Sequence, residues 1–339
     1  MRVLIHADGG ENVGLGHISR SLTLANTFAQ HRHKVILTVA ADLQNIVESV
    51  RHKAVTICIT NSPADVAQLA DTYNFDCLII DSYRWTPQDV RAIRVSGFTV
   101  AFDDEGKNDL PVNILVNGSP GAANLNYSQF SAKLKLTGLR YQIVRDAFRL
   151  QRPIATNEVV NRVIALSGGC SDPNLMKGLC LLLHRYTQRF KGKVNADLIS
   201  GPFSDKAEFG GLNGVKVLRN PDDLSQRVLN SDIAISAGGQ TLFELACCGI
   251  PTIGFSLSSD QDANVSGMDE LGLIINVGSY PAPNFFTMLE DRLISLSQDV
   301  NLRREMSVNS RRSVDGCGNE RLVAELCEYH RSGYASSDE

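Results

Sequence analysis

The segment Arg2–Arg20, RVLIHADGGENVGLGHISR, decides the fold of this 339-residue chain. Residues 2–6 form a short, mostly apolar run that ends before a pair of glycines, which is typical of a buried parallel strand leaving the core at a turn. After Gly14 and Gly16, apolar residues recur at helical spacing, so a helix is predicted to begin near His17. A strand, a glycine-rich turn and a helix N-terminus together form the phosphate-facing corner of a nucleotide-binding βαβ unit.

His17 lies at this corner. The glycine spacing differs from the dinucleotide-binding fingerprint, because the third glycine would fall at position 19, which is Ser19. A hydride-transferring dehydrogenase is therefore disfavoured. The positive end of the helix dipole is expected to lower the pKa of an imidazole and to favour its neutral, proton-accepting form. We interpret His17 as a candidate general base, the alternative being a histidine that caps the helix or packs at a domain seam.

Composition limits the classes of function. A hydrophobic content of 43%, a charged content of 21% and a net charge of −4 are typical of an ordinary soluble globular protein and argue against a nucleic-acid partner. No apolar run approaches the roughly 20 residues that cross a bilayer, and no signal-peptide pattern is present, so no membrane span and a cytoplasmic location are expected. The eight cysteines include no C-x-x-C pair, which predicts free thiols. Only Cys170 lies near a candidate ligand turn, and a packing role is favoured there.

Chain length predicts two domains of about 150 residues each. A polar linker at 150–161, which contains Pro153, places the boundary between an N-terminal Rossmann-like domain over 1–150 and a C-terminal one over 160–330. In each half, short apolar runs alternate with helical patterns, which predicts an α/β fold with parallel sheets and ligands outside the carboxyl ends of the strands. The predicted strands are 2–6, 34–40, 54–60, 77–80, 97–102, 114–117, 162–167, 194–199, 214–217, 232–236 and 252–257.

Charged and polar residues follow two strands of the first half. Asp81 and Tyr83 come after the strand at 77–80, and they share the sheet edge at which His17 is expected. The run Asp103–Glu105 follows the next strand and raises the alternative of a metal site. Because no histidine or further acid falls at ligand spacing, we interpret this run as a solvated turn, and no metal or other cofactor is predicted.

A second strand, glycine turn and helix N-terminus occupy residues 232–248. Backbone N–H groups at the start of this helix would suit a diphosphate, and a threonine hydroxyl adds a donor. Glu244 lies about one turn further on, where it is predicted to accept hydrogen bonds from ribose hydroxyls; the alternative is an acid that complements the helix dipole. The residues of the turn are Gly238, Gly239, Gln240 and Thr241.

Short polar side chains end the next strand, 252–257. Asp260, Gln261 and Asn264 could bind sugar hydroxyls or cap the following helix. Capping is the default for one such residue, but for Gln261 and Asn264 together a ligand contact is favoured. The second half is therefore predicted to bind the nucleotide part of a nucleoside diphosphate sugar.

Taken in order, these motifs resemble the PseG/SpsG family, whose namesakes are the UDP-sugar hydrolase of pseudaminic acid biosynthesis and a spore-coat polysaccharide protein. The resemblance runs from about residue 2 to residue 277, and its specificity comes from the whole set. The motifs are Gly14-x-Gly16-His17, Ile80-Asp81-x-Tyr83, Phe102-Asp103-Asp104, Tyr141-x-x-x-Arg145-x-x-Phe148, Ser167-Gly168-Gly169, Gly238-Gly239-x-Thr241-x-x-Glu244 and Gln261-x-x-Asn264.

The resemblance implies a fold and a set of roles. The family is related to the MurG-type glycosyltransferases, which implies a GT-B architecture of two Rossmann-like domains with a UDP-sugar in the cleft between them. It further implies His17 as the general base that activates water, Tyr83 as a helper, and the glycines of the second domain with Glu244 as the UDP site. In the hydrolase, water attacks the anomeric carbon with inversion and without a metal. This chain has Asp260 where that hydrolase has Asn, so the sugar or the chemistry differs.

The hypothesis is a UDP-acetamido-sugar hydrolase of surface or spore-coat polysaccharide or nonulosonic acid biosynthesis, with other enzymes of that pathway as candidate partners. One alternative is a glycosyltransferase in which His17 deprotonates an acceptor hydroxyl. For a lipid-linked acceptor, an apolar, basic patch is expected, but the paired arginines Arg303-Arg304 and Arg311-Arg312 are better explained as a solvated helix face. The other alternative is a non-catalytic nucleotide-sugar-binding subunit.

Overall fold

A computed structural model describes residues 1–10, 15–44, 47, 51–107, 109–149, 155–169, 172–201 and 212–333. The chain divides into two compact units. The first comprises Met1–Arg145 together with Gly316–Glu339, and the second comprises Asp146–Asp315. This division differs from the sequence-based one at the end of the chain, because the segment from Gly316 onward packs with the first unit.

Eleven α-helices lie within the described residues. Local sequence explains where two of them begin: Ser62 and Thr86 each form a reciprocal capping box with the aspartate three residues on, and a proline occupies the first helical turn. The helices are α1 (Gly16–Gln30), α2 (Pro63–Thr72), α3 (Pro87–Ala92), α4 (Asp146–Arg149), α5 (Pro173–Arg189), α6 (Leu224–Leu229), α7 (Gln240–Cys248), α8 (Ser259–Glu270), α9 (Phe285–Gln298), α10 (Val300–Ser313) and α11 (Gly318–Arg331). The sequence also predicts a helix at 43–50, and most of that segment lies outside the described residues.

The described part of the first unit contains a sheet of seven parallel strands. These are β1 (Arg2–Ala7), β2 (Lys34–Val39), β3 (Val55–Ile59), β4 (Cys77–Asp81), β5 (Phe98–Phe102), β6 (Ile114–Asn117) and β7 (Leu134–Thr137). Their spatial order is β3-β2-β1-β4-β5-β6-β7. The sequence did not predict β7, because this edge strand buries only Leu136 and so lacks an apolar run.

The described part of the second unit contains a sheet of six parallel strands. These are β8 (Arg162–Leu166), β9 (Asn195–Ser200), β10 (Val215–Arg219), β11 (Ile233–Ala237), β12 (Thr252–Ser256) and β13 (Ile274–Ser279). Their spatial order is β10-β9-β8-β11-β12-β13. The edge strand β13 was not predicted, because polar residues and Gly278 interrupt its alternation. The prediction of an α/β fold with two parallel sheets is confirmed.

Each sheet has one point at which the strand order reverses. In the first unit the reversal lies between β1 and β4, and in the second it lies between β8 and β11. In open α/β sheets, ligands bind outside the carboxyl ends of the strands at such a switch point. The edge formed by the carboxyl ends of the strands is therefore the expected ligand-binding side of each sheet.

Helix α11 is bound to the first unit through its first turn. A Cβ atom at Gly318 would lie 2.1 Å from the carbonyl oxygen of Gln142, so only glycine permits this approach. The Asn319 side chain accepts the N–H of Val144 and donates to its carbonyl, both at 3.1 Å. The cap position of α11 is Cys317, and the Asn319 amide pairs with a neighbouring backbone segment.

Arg303 contradicts the prediction of a solvated arginine pair. Its side chain is fully buried, and its guanidinium donates to the carbonyls of Leu296 and Ser297 at the end of α9 and to those of Asn157 and Glu158. Helix C-termini leave carbonyl groups without partners, and Arg303 satisfies two of them.

The described cysteines are all free thiols. Cys77, Cys180 and Cys248 are buried, whereas Cys317 is exposed. Cys170 lies outside the described residues. Over the described ranges, no helix is both long enough and apolar enough to cross a membrane.

Candidate functional site

The candidate site of the first unit is built around His17. Helix α1 begins at Gly16, directly before it, while Gly14 lies outside the described residues. The Nδ1 atom of His17 lies 2.5 Å from Oδ1 of Asp81, the last residue of β4. An ionised carboxylate only accepts hydrogen bonds, so Nδ1 carries the proton and the lone pair of neutral His17 is on Nε2.

Asp81 is fully buried and surrounded by donors. Besides His17, it accepts hydrogen bonds from Nε and Nη2 of Arg20, at 2.7 and 2.6 Å, and from the Ser21 hydroxyl at 2.9 Å. Burial by itself would raise the pKa of Asp81, but the charges of Arg20 and His17 hold that pKa well below its ordinary value. Asp81 therefore stays ionised when His17 binds a proton.

Asp104 shares the guanidinium of Arg20. Nη1 and Nη2 of Arg20 each donate to one carboxylate oxygen of Asp104, both at 2.8 Å, and the guanidinium carbon lies 4.7 Å from the centre of the Phe102 ring. Tyr83 donates its hydroxyl to Asp104 at 2.8 Å, and its ring meets that of His17 edge-on with 4.6 Å between centres. A single network thus joins His17 to Tyr83.

The pKa of His17 moves in the direction opposite to the one predicted from the helix dipole. Burial lowers this pKa, but the charge of Asp81 and its hydrogen bond to Nδ1 raise it by more, so that it lies above the ordinary histidine value. The dipole argument failed because an ionised carboxylate in direct contact outweighs the partial charge of a helix end.

The acidic run after β5 is only partly the solvated turn that was predicted. Asp103 is buried, and its Oδ1 accepts the N–H groups of Glu105 and Gly106, while Asp104 is engaged by Arg20. Glu105 alone matches the prediction, in an ion pair of 3.1 Å with the exposed Lys107. Among the residues that the structure describes, no group of three or more His, Cys, Asp or Glu side chains is arranged to hold a metal ion.

A second polar cluster lies at the same edge, where β1 ends. Asp8 is buried and accepts hydrogen bonds from the Ser82 hydroxyl and from two nitrogens of Arg84, most of whose side chain is exposed. His6 contacts Thr38 through Nδ1 at 2.9 Å. The contact between Asp8 and Ser82 therefore joins the ends of β1 and β4 beside the His17 network.

The candidate site of the second unit is the N-terminus of α7. Gly239 is the cap residue, and a Cβ atom there would meet nothing within 4 Å, so the turn is open on this side. Gly238 is confined, because a Cβ atom there would lie 2.5 Å from the Val265 side chain. Gln240 and Thr241 form the first turn of the helix and are partly exposed. Backbone N–H groups at such an end bind anions.

Gln261 and Asn264 contact the backbone of this turn. The Oε1 atom of Gln261 accepts the N–H of Gly238 at 3.1 Å and that of Leu257 at 3.2 Å. Asn264 donates to the carbonyl of Gly238 at 3.3 Å. The N–H and the C=O of Gly238 are therefore both bound by side chains that were expected to bind sugar.

The remaining predicted residues differ in exposure. Glu244 is fully buried in α7, whereas Asp260 is exposed in the first turn of α8, where its charge complements the helix dipole. Gly168 and Gly169 follow β8 at the switch point, are exposed, and turn the chain with a positive φ of 63° at Gly168. The ribose contact of Glu244 stays a prediction.

Arg20 and Ser21 were missed by sequence reasoning. Both lie one turn beyond His17 on α1, at the i+3 and i+4 positions that share a helix face. The sequence did contain a signal for Arg20. It is a basic residue three positions after the candidate base, on a helix that faces strands ending in aspartates.

Comparisons with known proteins agree with this architecture. No family model matches the chain. It is 23% identical to the spore coat polysaccharide biosynthesis protein SpsG of Bacillus subtilis over 335 residues, which is 96% of this chain and 98% of that protein. It is 24% identical to the UDP-2,4-diacetamido-2,4,6-trideoxy-beta-L-altropyranose hydrolase of Campylobacter jejuni over 206 residues, 52% of this chain and 73% of that protein. The predicted resemblance to the PseG/SpsG proteins is confirmed.

An uncharacterised protein of Methanocaldococcus jannaschii is 23% identical over 271 residues, and the chain spans 55% of its length. Among solved structures, MurG of Acinetobacter baumannii matches with a TM-score of 0.64 and 14% identity over 96% of this chain and 99% of that one. The spinosyn forosaminyltransferase SpnP matches with a TM-score of 0.70 and 13% identity over 98% and 99%. The predicted GT-B fold class is confirmed; at these identities the likeness concerns the fold alone.

Proposed function

We propose that the chain hydrolyses a UDP-acetamido-sugar to UDP and the free sugar in polysaccharide biosynthesis. The observation that carries the proposal is the 2.5 Å contact between Nδ1 of His17 and the buried, ionised Asp81. This contact directs the lone pair of the neutral imidazole to Nε2 and stabilises the imidazolium that forms when Nε2 takes a proton.

The reaction needs one base and a good leaving group. Nε2 of His17 takes a proton from water as the water oxygen bonds to the anomeric carbon, and the bond from that carbon to the diphosphate oxygen breaks. UDP leaves with the electron pair, and the proton later passes from His17 to solvent. A direct displacement inverts the anomeric configuration.

The second unit is assigned the nucleotide. The open N-terminus of α7 at Gly239 would receive the diphosphate, where backbone N–H groups and the helix dipole stabilise the charge that develops on leaving UDP. In this assignment Gln261 and Asn264 act by holding Gly238, and Glu244 binds the ribose.

The relatives support this choice of substrate. The Campylobacter jejuni relative is by name a hydrolase of a UDP-diacetamido-sugar, and the Bacillus subtilis relative is by name a protein of spore coat polysaccharide biosynthesis. A panel of UDP-acetamido-sugars identifies the sugar.

The test is incubation with each UDP-sugar in ¹⁸O-labelled water without an acceptor. Release of UDP together with a free sugar that carries ¹⁸O at the anomeric carbon is expected, and the first-formed anomer, observed by ¹H NMR, should be inverted. Label in the phosphate would mean attack at phosphorus. A strict transferase would release no sugar until an acceptor is added, and a binding subunit would bind UDP without turnover in either case; both results contradict the proposal.

A variant at His17 tests its role as the base. General-base catalysis typically contributes about 10²–10⁴-fold, so His17→Gln should lower kcat by at least about 100-fold. His52→Gln, at an exposed histidine of the same unit, is the control and should leave kcat unchanged. A loss of only a few-fold in His17→Gln would remove His17 from the role of base.

A further inference from the structure

The network around His17 contains more negative than positive charge. Arg20 is bound to two carboxylates at once, Asp81 and Asp104, through four hydrogen bonds of 2.6–2.8 Å. With His17 neutral, one guanidinium and two carboxylates sum to one negative charge. When His17 binds a proton, the network becomes neutral.

Asp81 by itself does not account for this excess charge, because it forms a two-bond ion pair with Arg20. The uncompensated charge comes from the second carboxylate, Asp104, which contacts Arg20 and Tyr83. Among the residues that the structure describes, the charged, titratable or hydroxyl groups that face His17 from the packed elements are Arg20 and Ser21 on α1, Asp81 and Tyr83 at the end of β4, and Asp104 at the end of β5.

We infer that Asp104, acting through Arg20, is a positioning residue for His17: it supplies the negative charge that the imidazolium neutralises, and it holds Tyr83 against the imidazole ring. This inference rests on the proposed function, in which His17 is the base. It gives the arginine and the second aspartate a role in setting the pH at which the base works, although neither contacts the reacting atoms.

Tyr83 fits the same role. Its hydroxyl is committed to Asp104 at 2.8 Å, while its ring packs edge-on against His17 at an interplanar angle of 87°. Burial and the neighbouring charge of Asp104 raise the pKa of Tyr83 far above its ordinary value, so the phenol keeps its proton. Tyr83 therefore orients the imidazole rather than exchanging protons with substrate.

The inference predicts pKa changes of opposite sign from two substitutions. Asp104→Asn keeps an acceptor for Arg20 and Tyr83 but removes the negative charge, so the pKa of His17 should fall. Arg20→Gln removes the positive charge, so the pKa of His17 should rise. For one charge several ångströms away in a partly buried cluster, changes of about 0.5–1 pH unit are expected. General loosening of the site would move both variants toward the pKa of a free histidine.

The experiment is NMR titration of the full-length protein labelled at histidine, in parallel with the pH profile of kcat/KM. The His17 resonance is assigned as the one absent from His17→Gln. Glu105→Gln removes a carboxylate next to Asp104 that pairs with Lys107 and is the control for charge; the pKa of His17 should not change in it. Tyr83→Phe keeps the ring and the charge and should change this pKa by less than Asp104→Asn.

Changes of the same sign in Asp104→Asn and Arg20→Gln, or no change in Asp104→Asn, would overturn the inference. In the active enzyme, the acidic limb of the kcat/KM profile should move with the titrated pKa in each variant. If the wild-type protein releases no UDP from any UDP-sugar, the proposed function fails, while pKa changes of opposite sign would still support the charge assignment in the network.

Discussion

The side-chain oxygen of Gln261 accepts the backbone N–H of Gly238 at 3.1 Å, and through this contact one side chain of α8 holds the turn before α7. Gln261→Ala leaves the N–H groups of Gly238 and Leu257 without their acceptor, which is expected to cost about 1–3 kcal/mol. Urea unfolding followed by far-UV circular dichroism measures this loss.

Gln261→Glu is the matched variant. It keeps an acceptor for both N–H groups, so stability should be retained, but it places a negative charge beside the proposed diphosphate site. UDP affinity, measured by calorimetry, should fall by at least about tenfold, which equals about 1.4 kcal/mol. Retained affinity in Gln261→Glu would argue against a diphosphate at this turn.

The two glycines of the turn give a second prediction. Gly238→Ala pushes a methyl group to within 2.5 Å of Val265 and should lower the melting temperature by several degrees. Gly239→Ala adds its methyl group where nothing lies within 4 Å, so the protein should fold normally while UDP binds more weakly. If Gly239→Ala binds UDP as the wild type does, the open side of the turn is not the diphosphate site.

The raised pKa of His17 links stability to pH in a defined direction. A folded-state pKa above the unfolded value gives a stabilising contribution that is fully present below about pH 6.5 and is lost as pH rises through the folded pKa. The difference in free energy of unfolding between wild type and His17→Gln should therefore be larger at pH 5.5 than at pH 9. The protein has one tryptophan, Trp85, which is buried in the first unit, so its fluorescence follows the relevant transition.

The pH dependence of catalysis should be opposite in sign to that of stability. Proton abstraction requires neutral His17, so kcat/KM should rise with pH through the same pKa, above the ordinary histidine value. An acidic limb centred below pH 6.5 would contradict the geometry at Asp81.

Arg303 and Arg304 are adjacent in sequence but differ in role. Arg303→Met removes the donors of four backbone carbonyls and should destabilise the second unit by about 3 kcal/mol or more. Arg304→Met is the control, because this side chain is half exposed and lies 3.5 Å from the exposed Glu158, and an effect within about 0.5 kcal/mol is expected. Equal effects in urea unfolding would contradict the assigned role of Arg303.

Glu244 is tested by comparing two nucleotides. If its carboxylate binds the ribose 2′-hydroxyl, Glu244→Gln should weaken binding of UDP and leave binding of 2′-deoxy-UDP unchanged. Because Glu244 is fully buried, a purely structural role would weaken both nucleotides equally. Isothermal titration of the four combinations distinguishes these outcomes.

Much of the fold followed from local patterns. Largely buried strands such as β1 and β11 appear in the sequence as mostly apolar runs, and glycine turns mark their carboxyl ends. The edge strands β7 and β13 were not predicted because β7 buries one side chain and β13 buries two, so neither strand forms a continuous apolar run.

The candidate sites were predictable in outline but not in their contacts. The sequence placed His17 and Asp81 at one sheet edge. It could not show that Arg20 connects Asp81 to Asp104, because Asp81 is 61 positions and Asp104 is 84 positions from Arg20 along the chain. Gln261 and Asn264 were expected to meet a ligand and instead hold a backbone turn. Polar residues at strand ends either bind ligands or hold backbone turns, and only tertiary contacts show which role a given residue has.

The return of the chain to the first unit at Gly316 sets an order for folding during synthesis. Helix α11, whose Asn319 pairs with Val144, is translated after the whole of Asp146–Asp315. During synthesis, all helices and strands of the second unit are therefore translated before the last helix of the first unit. The amino-terminal half is thus the later one to mature, and an expression fragment that stops at residue 145 lacks part of its own interior.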